Sequence, residues 1–332
     1  MNRSKSDTAH APQTGSSDLR VFRVFQHFGD LQLAQLAAQG REHTVAQGHV
    51  VYDEGSAGDD FFVVLAGTVE GHRNTPTGRQ PVTRIRVGQL FGEVSYLDRR
   101  PRDVATVAAE PTVLTAFSGA GVRRAAAADS ELSAALARTF WHSLAAKIRQ
   151  ANQSMGKILP QSNVEAVRPL GEPGRAADIR PSAKLEIFAE SGLSAAELRL
   201  LATTLQAESF PPGANLFLEG ERGDSLYIVA AGEVAISRRI QGRGENLLAT
   251  LGRGGIFGEM ALVDDQLRSA DARSGPAGCT VLVLSQRDLD EVLKRPSEAA
   301  AQFLDLVCRV LCQRLRAMIE QLAEWRGQPS KP

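Results

Sequence analysis

The chain's 332 residues suffice for two domains of ordinary size, each with its own core. With 43% hydrophobic and 23% charged residues it has the composition of a folded globular protein and not of a disordered one. Lys+Arg and Asp+Glu both total 38, so there is no basic excess of the kind a dedicated nucleic-acid binder carries, and no nucleic-acid partner is expected.

The opening "MNRSKSDTAHAPQTGSSD" is polar and lacks the apolar stretch of a signal peptide, so residues 1–19 are expected to be a disordered tail. A helix is expected from Asp30 through Leu31, Leu33 and Leu36, with Gly40 as its stop. Short β-branched and aromatic runs follow ("HVVY", "FFVVLAG", "VTRIRV"), separated by glycines in the manner of a small antiparallel roll. Gly48 and Gly67 sit where tight turns need positive φ. A helix over 130–153 closes this first domain (20–155), and residues 156–183, rich in Pro, Gly and Arg, read as a linker. In the second domain (184–326), Ser194 and Glu197 form a capping box ahead of Leu198, Leu201 and Leu205. The strands "NLFLEG", "LYIVAAG" and "LLATL" follow, then a closing helix over 297–325 and a short tail, 327–332.

The two halves are copies. At an offset of 165, Gly48, Glu54, Gly55, Gly58, Asp59, Gly67 and Val69 fall on Gly213, Glu219, Gly220, Gly223, Asp224, Gly232 and Val234. At 166, Gly88, Phe91, Gly92, Glu93 and Arg102 fall on Gly254, Phe257, Gly258, Glu259 and Arg268. A unit this long is a duplicated domain and not a solenoid repeat.

Each copy places an acid, directly after a glycine, nine residues ahead of an arginine: "FGEVSYLDRRPRDVATV" (91–107) and "FGEMALVDDQLRSAD" (257–271). Amides freed at a glycine turn and at the start of a short helix attract an anion, and an arginine from the far end of the loop can close on it. The glutamate cannot bind that anion but can accept from a neighbouring hydroxyl. A phosphate beside a sugar hydroxyl is what such a pair would hold.

Both segments resemble the phosphate-binding cassette of the cyclic-nucleotide-binding domain family, of catabolite-activator and protein kinase A regulatory-subunit type. The resemblance implies a mainly β fold with flanking helices (α+β). It would comprise two tandem double-stranded β-helix (jelly-roll) domains, each an eight-stranded roll with an N-terminal helical bundle and a C-terminal lid helix. It implies one nucleotide site at Phe257, Gly258, Glu259, Met260, Ala261, Arg268, Ser269 and Ala270. In this site Glu259 takes the ribose hydroxyl, Arg268 and the amides after Gly258 take the cyclic phosphate, and the 297–325 helix covers the base. A second, weaker site is implied at Phe91, Gly92, Glu93, Val94, Ser95 and Arg102. The weakness is expected because Asp103 stands beside Arg102, where it would repel a nucleotide and compete for the guanidinium, and because Tyr96 replaces a small aliphatic residue. Ser269-Ala270 resembles bacterial cAMP sites, so cAMP is the expected ligand, with cGMP or cyclic di-GMP as alternatives.

The closing helix carries Leu304, Cys308, Leu311, Leu315, Met318, Leu322 and Trp325 at alternating four- and three-residue spacing, which suits a core face or a seam with a twin helix in a homodimer. Cys308 and Cys312 are expected to pack and not to bind metal. "RRAAA" (123–127) mimics a kinase pseudosubstrate but falls in an expected helix. The six histidines form no metal-binding cluster and no catalytic fingerprint is present, so neither a metal or other cofactor nor an enzymatic activity is expected. Three cysteines cannot build a disulfide framework and suit the cytoplasm. No apolar run approaches a membrane span. Only "GQPSKP" follows Arg326, too little for a helix-turn-helix, and the first twenty residues are too few and too polar for a kinase docking and inhibitor segment. The expectation is a cytoplasmic cAMP receptor that signals through an unidentified protein effector, ahead of a transcription regulator or a kinase regulatory subunit.

Overall fold

The computed structural model describes residues 19–158, 174–188, 204–240, 244–264, 266–294 and 298–327. Two short 3-10 turns, Leu19–Val21 and Arg23–Phe25, lead into α1 (Asp30–Ala37). Gly40 does not stop this helix as expected. It is the first residue of β1 (Gly40–Val45), paired with Phe117, and a Cβ there would stand 2.8 Å from the Thr115 side chain.

The first roll continues with β2 (Val50–Tyr52), β3 (Phe61–Ala66), β4 (Thr68–Thr75), β5 (Gly78–Arg86), β6 (Leu90–Phe91), β7 (Ala105–Ala108) and β8 (Thr112–Phe117). These eight strands form two four-stranded antiparallel sheets, ordered β1-β8-β3-β6 and β2-β7-β4-β5. Val64, Val69, Ile85, Phe91 and Leu114 form a buried cluster in the roll. Gly48 and Gly67 have φ of 79° and 84°, as their turns require.

The second roll makes the same wrap with longer strands: β10 (Gln206–Phe210), β11 (Asn215–Phe217), β12 (Ser225–Ile240), β13 (Gly244–Leu251), β14 (Ile256–Phe257) and β15 (Asp271–Ser285). β12 runs over the ground of β3 and β4, and bends through register shifts at Val229/Ala231 and Gly232/Val234. Tyr227 pairs with Phe257 as Phe62 pairs with Phe91. The 156–183 stretch is not all linker: β9 (Arg175–Ala176) pairs with β10, and α5 (Pro181–Phe188) follows, so ordered structure of the second half begins before residue 184. The expected capping box at Ser194 and Glu197, most of the N-terminal tail and residues 328–332 lie outside the described residues.

The remaining helices are α2 (Glu93–Asp98), α3 (Gly119–Ala128), α4 (Ser130–Ile158), α6 (Glu259–Asp264), α7 (Gln286–Lys294) and α8 (Glu298–Gly327). "RRAAA" lies in α3 as expected, where Arg123 pairs with Asp59 and covers the Tyr96 ring. The long closing helices α4 and α8 pack along one another, and one buried cluster joins Leu136, Phe140, Leu144 and Ile148 to Leu304, Leu311, Leu315 and Leu322. The Leu304–Leu322 face is thus a core face, one of the two readings its spacing allowed, and it is buried within its own chain against α4. Cys308 and Cys312 pack fully buried, with Cys308 Sγ donating to the Ala137 carbonyl. Among the described residues no group of side chains could hold a metal ion, and no helix is long and apolar enough to cross a membrane.

Candidate functional site

In each copy a two-residue strand passes through a glycine into a six-residue helix. Gly92 and Gly258 turn the chain at φ of 82° and 77°. A Cβ on Gly258 would lie 2.7 Å from Arg268 Nη1, and one on Gly92 2.9 Å from Arg102 Nη1, so glycine both makes the turn and lets the guanidinium through.

The Glu-Gly turns aligned by the repeat hold the arginines by their backbones. Gly55 N donates to Arg102 O (2.7 Å) and Arg102 N to Ser56 O (3.0 Å); Gly220 N donates to Arg268 O (2.9 Å) and Arg268 N to Glu221 O (2.8 Å). Each guanidinium then folds over the cassette. Arg102 donates to the carbonyls of Gly92 (2.9 Å) and Asp60 (2.7 Å), and Arg268 to those of Gly258 (2.6 Å) and Ser225 (2.8 Å). Arg102 lies 4.3 Å from the Tyr52 ring centroid and Arg268 4.2 Å from that of Phe217.

Both arginines are only 5% exposed, yet among the described residues neither has a carboxylate within 4 Å. Burial pulls the Arg268 pKa below its ordinary value, against the opposing pull of Tyr227, Asp224, Glu259 and Glu221. Among the described residues Arg268 Nε has no hydrogen-bond partner. A buried cation satisfied by neutral carbonyls alone is costly, and an anion would relieve it.

Glu93 and Glu259 are 0% and 1% exposed. Glu93 Oε1 accepts from Ser143 Oγ (2.8 Å) and from Lys147 Nζ, both on α4. Glu259 Oε1 accepts from Arg314 Nη1 on α8 (2.6 Å), and Arg314 Nη2 reaches the Ile256 carbonyl (2.7 Å). In both copies the other carboxylate oxygen, Oε2, is buried without a partner among the described residues. Such an orphan acceptor costs about 1–3 kcal/mol, and a ligand hydroxyl would satisfy it.

Phe257, Gly258, Glu259, Met260, Ala261, Arg268, Ser269 and Ala270 all line one cavity, of about 40 Å³, with Phe217 and Arg314. That is room for a few waters, and Arg314 of α8 forms part of the wall. In the first copy Phe91, Val94 and Ser95 are buried around Glu93 and Arg102. Tyr96 is also buried, its ring packed on Phe61 and Phe140.

The expected rivalry between Asp103 and Arg102 does not occur. Arg102 turns into the cassette, while the Asp103 carboxylate faces Arg316 of α8 at 3.9 Å. Sequence reasoning missed the lid residues Ser143, Lys147 and Arg314. Lys147 and Arg314 are cations on the two closing helices and stand 167 apart, close to the offset of the repeat; that was the available signal.

A profile described as "Cyclic nucleotide-binding domain" matches residues 42–129 and 207–296. The chain belongs to the cyclic nucleotide-binding domain family. It carries two copies, as the duplicated cassette implies. A "cAMP-dependent protein kinase regulatory subunit" of Neurospora crassa is 27% identical over 260 residues, 76% of this chain and 56% of that protein. A "CRP-like cAMP-activated global transcriptional regulator" of Mycobacterium tuberculosis is 34% identical over 143 residues, 42% of this chain and 62% of that protein. A "cGMP-dependent protein kinase" of Eimeria tenella is 27% identical over 285 residues, 83% of this chain and 23% of that protein. The chain thus spans less than two thirds of each of these relatives.

Proposed function

We propose that the chain is a non-catalytic cAMP receptor with a nucleotide site in each copy, and that it passes the signal to a protein partner in the cytoplasm. The reading rests on one repeated observation: a buried guanidinium without an ion-pair partner, beside a buried glutamate with one unpaired oxygen. A cyclic phosphodiester carries one negative charge for Arg102 or Arg268, and the neighbouring ribose hydroxyl suits Oε2 of Glu93 or Glu259. A charge-assisted bond of this kind is worth about 1.5–3 kcal/mol.

Both glutamates are tied to closing helices, so a nucleotide that takes up the second oxygen and needs more room shifts those helices between two positions. That shift is what a partner would read. The names of the Neurospora and Mycobacterium relatives favour cAMP and a regulatory role. The Eimeria relative favours cGMP as the second reading.

Calorimetric titration with cAMP, cGMP and cyclic di-GMP tests the reading. Saturable cAMP binding, tighter than that of the other two, supports it; tighter cGMP binding selects the second reading, and no binding of any cyclic nucleotide overturns both.

A further inference from the structure

Each closing helix reaches across to the other copy. From α8, Arg316 forms a two-pronged contact with Asp98 (Nε to Oδ2 2.7 Å, Nη2 to Oδ1 3.0 Å). Its Nη1 donates to the Pro101 carbonyl at 3.1 Å and stands 3.9 Å from Asp103 Oδ1. From α4, Arg149 Nη1 donates to the Leu267 carbonyl at 3.0 Å. Pro101 and Leu267 are the residues immediately before Arg102 and Arg268. The two contacts are therefore one contact made twice, with the copies exchanged.

The helices carry a matching signature: Lys147-Ile148-Arg149 on α4 and Arg314-Leu315-Arg316 on α8. Two residues along a helix turn the side chain through about 200°, so the two cations leave on nearly opposite sides. The first of each pair holds the glutamate of its own copy, and the second holds the phosphate loop of the other.

We infer that Arg316 and Arg149 are positioning residues that set, from the opposite copy, the loops presenting Arg102 and Arg268, so that the two nucleotide sites of one chain are coupled. The inference rests on the cyclic-nucleotide reading of both cassettes. It accounts for Asp103, the residue that sets the first cassette apart from the second, where serine stands at the aligned position 269. With Asp98 it supplies the carboxylates that face Arg316, in a setting where all three side chains are largely buried. The Asp98 and Asp103 charges hold the Arg316 pKa above its ordinary value in spite of burial, while burial raises that of Asp103 against the pull of Arg316. A nucleotide that moves Arg314 at the second site moves the same rigid helix that carries Arg316, and so the loop of the first.

The test isolates each site: Arg268→Glu leaves only the first reporting, and Arg102→Glu only the second. Adding Arg316→Ala is expected to change cAMP affinity at the first site by about tenfold while leaving the second within about twofold, although Arg316 lies on the second copy's helix. An effect confined to the second site, or none at either, overturns the inference. Amide exchange without nucleotide gives an independent readout. Arg316→Ala, or Asp103→Ser should the first variant not fold, is expected to speed exchange over residues 98–104 about tenfold and leave 257–270 unchanged. Unchanged exchange over 98–104 overturns the latch. If neither single-site background binds cAMP but exchange responds as expected, the latch stands and the receptor reading falls.

Discussion

The two copies hold the same glycine, glutamate and arginine on different supports. Each has a left-handed glycine, a buried arginine on two carbonyls and a buried glutamate with one oxygen unused. Around these, the first copy stacks its arginine on Tyr52 and ties its glutamate to Ser143 and Lys147, while the second uses Phe217 and Arg314. The first roll closes through two separate sheets, and the second through two long, bent strands. The glycine, the arginine on its two carbonyls and the glutamate recur in both copies, whereas rings, lid cations and strand lengths vary.

The largest effect should come from breaking what the copies share. Leu311 is fully buried in the core common to α4 and α8, and Leu311→Ala is expected to cost about 2–5 kcal/mol, read by chemical denaturation. Because α8 supports both halves, the loss should appear in probes placed in either copy.

Reversing charge separates the copies. Arg268→Glu or Arg102→Glu should each weaken its own site at least about 100-fold, by replacing a charge-assisted donor with a repelling acceptor. An isotherm unchanged by Arg102→Glu would show that the first cassette binds no nucleotide. Glu259→Gln and Glu93→Gln should act more mildly, about tenfold in affinity, since the amide keeps the shape but loses the charged acceptor. A copy whose affinity ignores this change does not use its glutamate for the ribose.

The smallest effect concerns pH and belongs to the first copy. Burial, then the His142 and Arg138 charges, lower the His27 pKa from 6.5 to about 4, and its ring stacks on His142 at 4.7 Å. The unfolded chain therefore binds a proton between pH 6.5 and 4 that the folded chain refuses, so stability falls as pH falls through that window. Thermal melts at pH 7 and 5 should show a smaller acid loss in His27→Gln than in the parent chain.

Much of this was legible in the sequence because glycine spacing and the paired Glu and Arg are local signals. The repeat located both cassettes, the turns at Gly48, Gly67, Gly213 and Gly232, and the closing helices to within a few residues. What stayed hidden was set by packing between distant segments. Gly40 looked like a helix stop because its real constraint, Thr115 and Phe117 of a strand some 75 residues away, has no local mark. That Asp103 faces Arg316 was hidden because this counter-charge lies in the other copy. The apolar face of α8 and its reading as a core face were legible, but not that α4 is what covers it.

The central claim is that the two buried guanidiniums are the anion receptors of this protein. Calorimetry of cAMP against the parent chain and the Arg102→Glu/Arg268→Glu double variant tests it most directly. The account predicts two nucleotides bound per parent chain and none in the double variant; undiminished binding by the double variant would contradict it.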